Sequence, residues 1–279
     1  MTPNAFSLPV LGGHAPKADP FEQLFGMPEP MEARRELKWF DEGPGAAEVG
    51  QVLSKVVSAL QGYRVGDTTR VLSLAGLSAP AMALLEDTLG AGEVTATVQG
   101  ARRWELAETA LVGLWRIKAF EADGSPAGDW LEVAGVPSAI TAANQHGTST
   151  ELSIGEPPAG TMNSLPVLAE LRHRVASYKP GQANHVISFT LLPMNDVDMG
   201  YLQQQLGRGP VLAESKGYGR CRLELTAHKN LWSVQFFNAM GTIILDTLEV
   251  GEVPSALGAS NEDFEDSATR LSQLLEHAS

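Results

Sequence analysis

The sequence predicts an α+β fold (α/β-like) that arose by internal duplication and has two related lobes. First, the decapeptide LEVAGVPSAI at residues 131–140 returns as LEVGEVPSAL at residues 248–257. Second, an ungapped alignment of residues 82–140 with residues 199–257 contains 25 identities in 59 positions, where average residue usage gives only about four by chance. Third, each copy changes from a helical period to an alternating period, which predicts helices packed on a sheet.

The repeat continues upstream at a slightly different spacing. Tyr63 matches Tyr178 and Val71 matches Val186, 115 residues apart instead of 117, and a two-residue insertion near Pro193 accounts for the change. Two copies are too few for a solenoid. A pair of related lobes is therefore the expected architecture.

The first half of each copy predicts a helix, a strand and a second helix. Val49, Leu53, Val56 and Leu60 follow the i, i+4, i+7, i+11 spacing of one helix face. The apolar runs VLSLAGL and VISFTLL then predict buried strands. The segments APAMALLEDTLG and NDVDMGYLQQQLG predict helices that end at a glycine, as helices commonly do.

The second half of each copy alternates apolar and polar residues, which is typical of strands. Trp115 and Trp232 begin matching alternating runs, and their identity in both copies predicts a place in the core. The repeated LEV predicts a strand end, and VPSA predicts the start of the next element, since proline suits a first helical turn. Each lobe is thus predicted as α-β-α-β-β-β, with a mixed sheet covered by helices.

The chain is predicted to divide into five segments. Two repeat lobes are separated by a polar linker rich in glycine and proline, with a Pro/Gly-rich tail before them and an acidic helix capped by Asn261 after them. The segments are 1–44 (tail), 45–141 (first lobe), 142–162 (linker), 163–260 (second lobe) and 261–279 (helix).

Composition narrows the classes of function. The formal net charge of −13 disfavours nucleic acid as a partner, because phosphate would be repelled. The single cysteine, Cys221, excludes an internal disulfide and fits a reducing compartment. No segment has the pattern of a signal peptide or the roughly 18 apolar residues of a membrane-spanning helix. We expect a cytoplasmic protein with no membrane insertion.

No sequence motif points to catalysis, a cofactor or a metal. The six histidines show no zinc-binding spacing, and the glycine pairs at Gly90 and Gly207 follow helices, whereas a dinucleotide loop follows a strand. Cys221 would need a neighbouring base to act as a nucleophile, and a buried, inert thiol is the simpler interpretation. We expect no catalytic residue, no cofactor and no metal.

Positions that differ between the copies are the best candidates for contacts with other molecules. Gly217, Tyr218 and Gly219 stand where the first copy has Gly100-Ala101-Arg102, either as an ordinary turn or as an exposed tyrosine. The segment LLPMNDVDM contains the insertion, and its Met194, Asn195 and Asp196 are candidates for partner contact. Asn195 or Asp196 is equally suited to capping the helix that follows.

These second-copy segments resemble the HupH/HyaF type of hydrogenase expression/formation protein. The resemblance rests on TMNSLPVLAEL, ISFTLLPMNDVD, LGRGPV, GYGRCRLELTAHKNLWSVQFFN, ILDTLEVGEVPSAL and EDSATRL, with LGAGEVTATVQG and LVGLWRIKA in the first copy. It covers roughly residues 45–275.

The resemblance implies a non-enzymatic maturation factor for an uptake [NiFe] hydrogenase. It implies two partners: the precursor of the iron–sulfur small subunit, before its twin-arginine export, and a thioredoxin-like protein of the HyaE/HupG type. No catalytic residue can be carried over, and Cys221 matches no family pattern. Two alternatives remain open: a small-ligand-binding or catalytic α/β protein with its site between the lobes, and a scaffold that joins other maturation factors.

Overall fold

The structure, a computed structural model, describes Leu37, residues 43–216 and residues 219–277. Most of the predicted tail, residues 1–36 and 38–42, lies outside the described residues. The elements in chain order are α1 (Ala46–Leu60), β1 (Arg70–Ser73), α2 (Ala79–Leu89), β2 (Val94–Val98), β3 (Arg103–Glu108), β4 (Leu114–Phe120), β5 (Pro126–Val133), α3 (Ser138–His146), α4 (Ser164–Ser177), β6 (His185–Ser188), a 3-10 turn (Phe189–Leu191), α5 (Asp196–Leu206), β7 (Val211–Ser215), β8 (Arg220–Leu225), β9 (Leu231–Phe237), β10 (Ile243–Val250), a second 3-10 turn (Ser255–Leu257) and α6 (Asn261–His277).

The two copies form the two halves of one ten-stranded sheet. The strand order is β1-β5-β4-β3-β2-β7-β8-β9-β10-β6, so each copy contributes five neighbouring strands. The predicted α+β class and internal duplication are confirmed. The predicted order within a lobe was one strand short, because β3 and β8 were not recognised. Both strands carry charged side chains at alternate positions, such as Arg103 and Glu105, which weakened their apolar signal.

The prediction of a mixed sheet was wrong: all pairs of strands within the described residues are antiparallel. Strands β2 to β5 follow one another through short turns, and such turns join only antiparallel neighbours. β1 pairs with β5, and β6 pairs with β10 in the same way.

The halves meet where β2 pairs with β7. Val94 pairs with Ser215, Ala96 with Ala213 and Val98 with Val211. Ala213 is the repeat counterpart of Ala96, so this pair relates the copies by a local twofold axis. A symmetric pairing of equivalent strands is the geometry of an isologous dimer, here within one chain.

Strands β1 and β6 lie at the edges of the sheet, although their apolar sequences suggested buried strands. Val71 and its counterpart Val186 are 57% and 50% exposed. Each strand has only four residues. Short edge strands are one way in which proteins avoid pairing with other chains.

Matching residues occupy matching environments in the two halves. Trp115 and Trp232 are both fully buried, and each indole N–H donates to a carbonyl just after the last strand of its own copy, Ala134 at 3.1 Å and Glu252 at 3.2 Å. Gly90 and Gly207 both end helices with φ of 58°. The predicted core position of the tryptophans and the predicted helix ends are therefore confirmed.

The chain after each copy crosses to the opposite half. After the first copy, Ser149 N donates to Ala227 O at 2.8 Å, and Leu152 is buried in the second core. After the second copy, Ala259 N donates to Gly135 O at 3.0 Å, and helix α6 completes the first core. The two halves are thus joined by a reciprocal exchange in addition to the shared sheet.

The repeated VPSA motif leads to different structures in the two copies. In the first copy it opens helix α3, which extends to His146 and so includes the first residues of the predicted linker. In the second copy it forms only a 3-10 turn. The cap of α6 is Ser260, whose Oγ accepts a hydrogen bond from Asp263 N at 3.3 Å. Asn261, the predicted cap, instead accepts from Val65 N at 2.9 Å.

Phe264 of α6 is the side chain that fixes this helix on the first half. It is fully buried, its ring lies 4.6 Å from that of Tyr63, and a side chain on Gly113 would collide with it. We expect Phe264→Ala to lower the free energy of unfolding by about 3–5 kcal/mol, measured by urea denaturation. Thr269→Ala, on the exposed side of α6, serves as the control and should change it by less than about 0.5 kcal/mol. Equal effects would show that α6 does not complete the first core.

Candidate functional site

The predicted contact residues Met194, Asn195 and Asp196 lie at the start of helix α5. Asn195 is the N-cap: its side chain accepts from Asp198 N at 2.8 Å, and its amide donates to Gly160 O at 3.1 Å. Met194 is half-buried against the second core, and Asp196 is exposed. The capping interpretation of Asn195 is therefore confirmed, while contact with a partner stays a prediction.

Asp198 stabilises the chain at the start of helix α5. It is fully buried, and one carboxylate oxygen, Oδ1, accepts hydrogen bonds from the N–H groups of Met162, Asn163 and Ser164, each at 2.9 Å. Burial alone would raise its pKa, but these backbone donors and that of Asn195 hold the pKa of the Asp198 carboxyl well below its usual range. The starts of α4 and α5 are therefore tied together by a charged group that folding keeps ionised.

Of the other predicted contact segment, the structure describes only Gly219, since Gly217 and Tyr218 lie outside the described residues. Gly219 has a φ of 92°, a backbone conformation that favours glycine, and it precedes Arg220, which pairs with Phe237 at the end of β9. Gly219 therefore lies beside the turn between β9 and β10.

Gly219 and the start of α5 lie at the same end of the second half. Strand β6 runs antiparallel to β10, so it leads toward the β9–β10 turn, and α5 begins soon after. This end carries four exposed apolar side chains, which we call the apolar tip. They are Leu192, Val197, Met240 and Ile243, and Met240 is 87% exposed.

Three of the four side chains of the apolar tip are not repeated in the first copy. The residues that match Val197, Met240 and Ile243 are Pro80, Asp123 and Pro126, whereas Leu192 matches Leu77, which is partly buried against the first core. Scattered exposed apolar residues are ordinary, but a cluster of them at one end indicates a surface for another molecule. Because the shared fold does not require these side chains, the tip is the best candidate for a protein-contact surface.

Comparison with known proteins gives the family. A sequence profile described as HupH hydrogenase expression protein, C-terminal conserved region, matches residues 47–152 and 161–278. The chain belongs to the HupH hydrogenase expression protein family. The predicted family is therefore confirmed, and membership supports a role in hydrogenase expression and formation.

Full-length relatives of this HupH-family protein carry related names. It is 41% identical over 227 residues to the hydrogenase expression/formation protein HupH of Rhizobium leguminosarum bv. viciae, covering 81% of this chain and 80% of that one. It is 35% identical to HoxQ of Azotobacter vinelandii, covering 96% and 98%. It is 30% identical to the hydrogenase-1 operon protein HyaF of Escherichia coli K12, covering 73% and 71%. The first two names describe expression and formation of a hydrogenase, and none of the three specifies a reaction.

A cavity of about 910 Å³ lies on the first half of this HupH-family protein, between α2 and strands β2 to β4. Both basic side chains of its lining form ion pairs: Arg116 pairs with Asp129 at 2.8 Å and with Glu86 at 2.7 Å, and Lys118 approaches the same Glu86 at 3.4 Å. All its lining residues come from the first copy, so it does not lie between the lobes, where the alternative hypothesis placed a site.

Glu108 is a buried carboxyl at the end of this cavity. Burial raises its pKa to about 7, although Gly113 N donates to it at 3.3 Å, and the neighbouring Glu93 and Asp263 raise it further. The second copy has Leu225 at the matching position. Sequence reasoning missed Glu108, since alternation alone does not tell which of several charged residues in a strand is buried.

The surroundings of Cys221 keep its thiol protonated. Cys221 is buried, and this burial, reinforced by the neighbouring Glu249, raises the pKa of its thiol to about 12. Among the described residues, no group of three or more His, Cys, Asp or Glu side chains has the geometry of a metal site. In the same part of the chain, no helix has the length and apolarity needed to cross a membrane.

The raised pKa of Glu108 predicts how stability depends on pH. Burial raises the folded-state pKa of Glu108 above its ordinary value of 4.5, so the stability that its protonated carboxyl allows is fully present below about pH 4.5 and is lost as the pH rises through about 7. We expect Glu108→Gln to remove this decrease in the free energy of unfolding, which is on the order of 1–3 kcal/mol. Urea midpoints from pH 5 to pH 8 should decline less for the variant than for the native protein, and parallel curves would contradict the assignment.

The buried Cys221 thiol should be unreactive in the folded protein. Thiolate is the reactive form, and at pH 8 a thiol with a pKa of about 12 is almost wholly protonated. We expect iodoacetamide to modify the native protein at least about a hundredfold more slowly than the protein unfolded in urea, as followed by mass spectrometry. Comparable rates would mean that Cys221 is accessible and activated.

Proposed function

We propose that this HupH-family protein is a maturation factor, a chaperone for the iron–sulfur small subunit of a membrane-bound uptake [NiFe] hydrogenase. It binds the subunit precursor in the cytoplasm before twin-arginine export, and it catalyses no reaction. The observation that carries the proposal is the apolar tip of the second half. Its side chains are exposed, and three of the four, Val197, Met240 and Ile243, are replaced by proline or aspartate in the first copy.

The physical setting of the tip suits the capture of a partly folded chain. Apolar side chains bind exposed apolar surface without demanding a specific hydrogen-bond pattern. The buried Asp198 fixes the backbone beneath Val197, so less conformational freedom is lost on binding. The net charge of −13 attracts a precursor with a basic signal segment.

A second partner follows from the same resemblance. A thioredoxin-like protein of the HyaE/HupG type works beside the chaperone on the same precursor. We place the precursor, and not this partner, at the apolar tip, because the tip is where the two copies differ most in exposed apolar residues.

The proposal is tested by placing charges on the tip. We expect the double variant Met240→Asp/Ile243→Asp to retain the tagged small-subunit precursor at least about tenfold less in a quantitative pull-down, since buried contact anchors each contribute more than about 1 kcal/mol. The assay is run with and without the signal peptide of the precursor.

The matched control is Pro126→Asp in the first copy. Asp123 and Pro126 match Met240 and Ile243, so this single change gives the first half aspartate at both of the positions that are changed in the double variant. It should retain the precursor as the native protein does. Failure of the native protein to retain either form of the precursor would overturn the proposed function, and equal losses in both variants would remove the tip as its site.

The cavity beside Glu108 favours a second candidate function, the binding of a small polar ligand in the first half. A buried carboxyl with a raised pKa at the end of a cavity is a common feature of ligand sites. Arg116→Ser, which copies the second-half residue Ser233, tests it. Loss of hydrogenase activity in cells, with precursor binding unchanged, would favour this function over the first.

A further inference from the structure

Helix α6 is attached to the turn between β3 and β4, residues 109–113, which we call the β3–β4 turn. The ring of Phe264 occupies the space in which a side chain on Gly113 would lie. Ser267 Oγ and Arg270 Nη1 donate to two carbonyl oxygens of the turn, at 2.9 Å and 3.1 Å. The last helix of the chain therefore depends on the conformation of this turn for part of its attachment to the first half.

Glu108, the last residue of β3, is a buried carboxyl beside the same turn. Its exposure is 6%, and Gly113 N donates to one of its carboxyl oxygens at 3.3 Å. On the other side Gly92 N donates to the main-chain oxygen of Glu108 at 2.7 Å, and a side chain on Gly92 would collide with this part of the chain. Glu108 is thus enclosed by two segments, and a charge without a partner is costly in such a place.

Two carboxylates face Glu108 from the elements around it. One is Glu93, in the segment before β2, and the other is Asp263, in the first turn of α6. Burial raises the pKa of Glu108, and these two carboxylates raise it further. Arg270, the basic side chain that α6 brings to the turn, forms an ion pair with Asp266 of its own helix at 3.8 Å. Ionisation of Glu108 therefore adds a negative charge that repels one on α6.

The second half shows that the fold does not need a carboxyl at this place. The residue that matches Glu108 is Leu225, which is fully buried. The matching turn is also held by a segment from the other copy: Ser149 N donates to Ala227 O at 2.8 Å, and Lys229 N donates to Ser149 O at 2.8 Å. An equivalent attachment is thus made beside an apolar residue in one half and beside a titratable one in the other.

We propose that helix α6 is a proton-linked cover of the first half, held on the β3–β4 turn while Glu108 is protonated and loosened when Glu108 ionises. The relation is reciprocal: because the bound helix favours the neutral carboxyl, the neutral carboxyl favours the bound helix. Loosening uncovers the first core, to which α6 contributes Phe264, Ala268 and Leu271. Since the pKa of Glu108 is about 7, the change takes place across neutral pH. The apolar tip, in the second half, has no part in it.

The test is hydrogen exchange of the full chain at pH 6 and pH 8, followed by mass spectrometry and corrected for the intrinsic pH dependence of amide exchange. We expect the opening constant of α6 to rise with pH. Linkage between an ordinary pKa of 4.5 and a pKa of about 7 limits this rise to about tenfold. In Glu108→Gln, and in Glu108→Leu, which copies the second half, the opening constant should be the same at both pH values.

The segment around Ser149 is the internal control, because the buried residue beside its attachment is Leu225, and its exchange should show no such pH dependence. Glu262→Gln is the matched variant, since it removes one negative charge from the exposed side of α6. It should keep the pH dependence of the native protein, and loss of that dependence would assign the effect to the charge of the helix and overturn the role of Glu108.

Three further results would overturn the cover. They are an opening constant of α6 that does not change with pH in the native protein, a change that persists in both Glu108 variants, and an equal change in the segment around Ser149, which would indicate loosening of the whole fold. The measurement uses the chain alone, so its outcome is independent of the precursor pull-down.

Discussion

The pairing of β2 with β7 is the constraint on which the rest of the molecule depends. It joins two five-stranded halves into one sheet and centres the local twofold axis on Ala96 and Ala213. Both residues are buried, at 5% and 1% exposure. On either side of this pair the strands follow in equivalent order, so that β1 and β6 lie at the two edges of the sheet.

The twofold relation divides the residues into two kinds. Those that are identical in both copies, such as Trp115 and Trp232, close the core and end the helices. Those that differ give each half its own features: a buried Glu108 at the end of a cavity in the first, and the exposed apolar residues of the tip in the second. Duplication thus supplied a common frame, and divergence gave each half of this HupH-family protein its own surface.

The repeat, the fold class and most of the helices and strands could be predicted from the sequence, because the spacing of apolar residues reflects burial of one face. It failed for β3 and β8, where Arg103, Glu105 and Arg222 point to a half-exposed face and reduce the apolar contrast. It failed for the direction of the strands and for the edge position of Val71, because both depend on pairing partners far away in the chain. For the candidate site, comparing the copies located Asn195 and Gly219, but exposure of Met240 and Ile243 became visible only when the strands were paired.

The reciprocal crossing of the segments that follow each copy has a consequence for biosynthesis. The first half has all its strands as soon as residue 133 has emerged from the ribosome, but Phe264, Ala268 and Leu271 of its core are synthesised only after the whole second half. Nascent domains generally fold as units from the amino terminus. Here the core of the first half is complete only after helix α6 has been synthesised. During translation the open flank of α1 is an apolar surface without its cover, so the growing chain passes through a stage at which it needs protection itself.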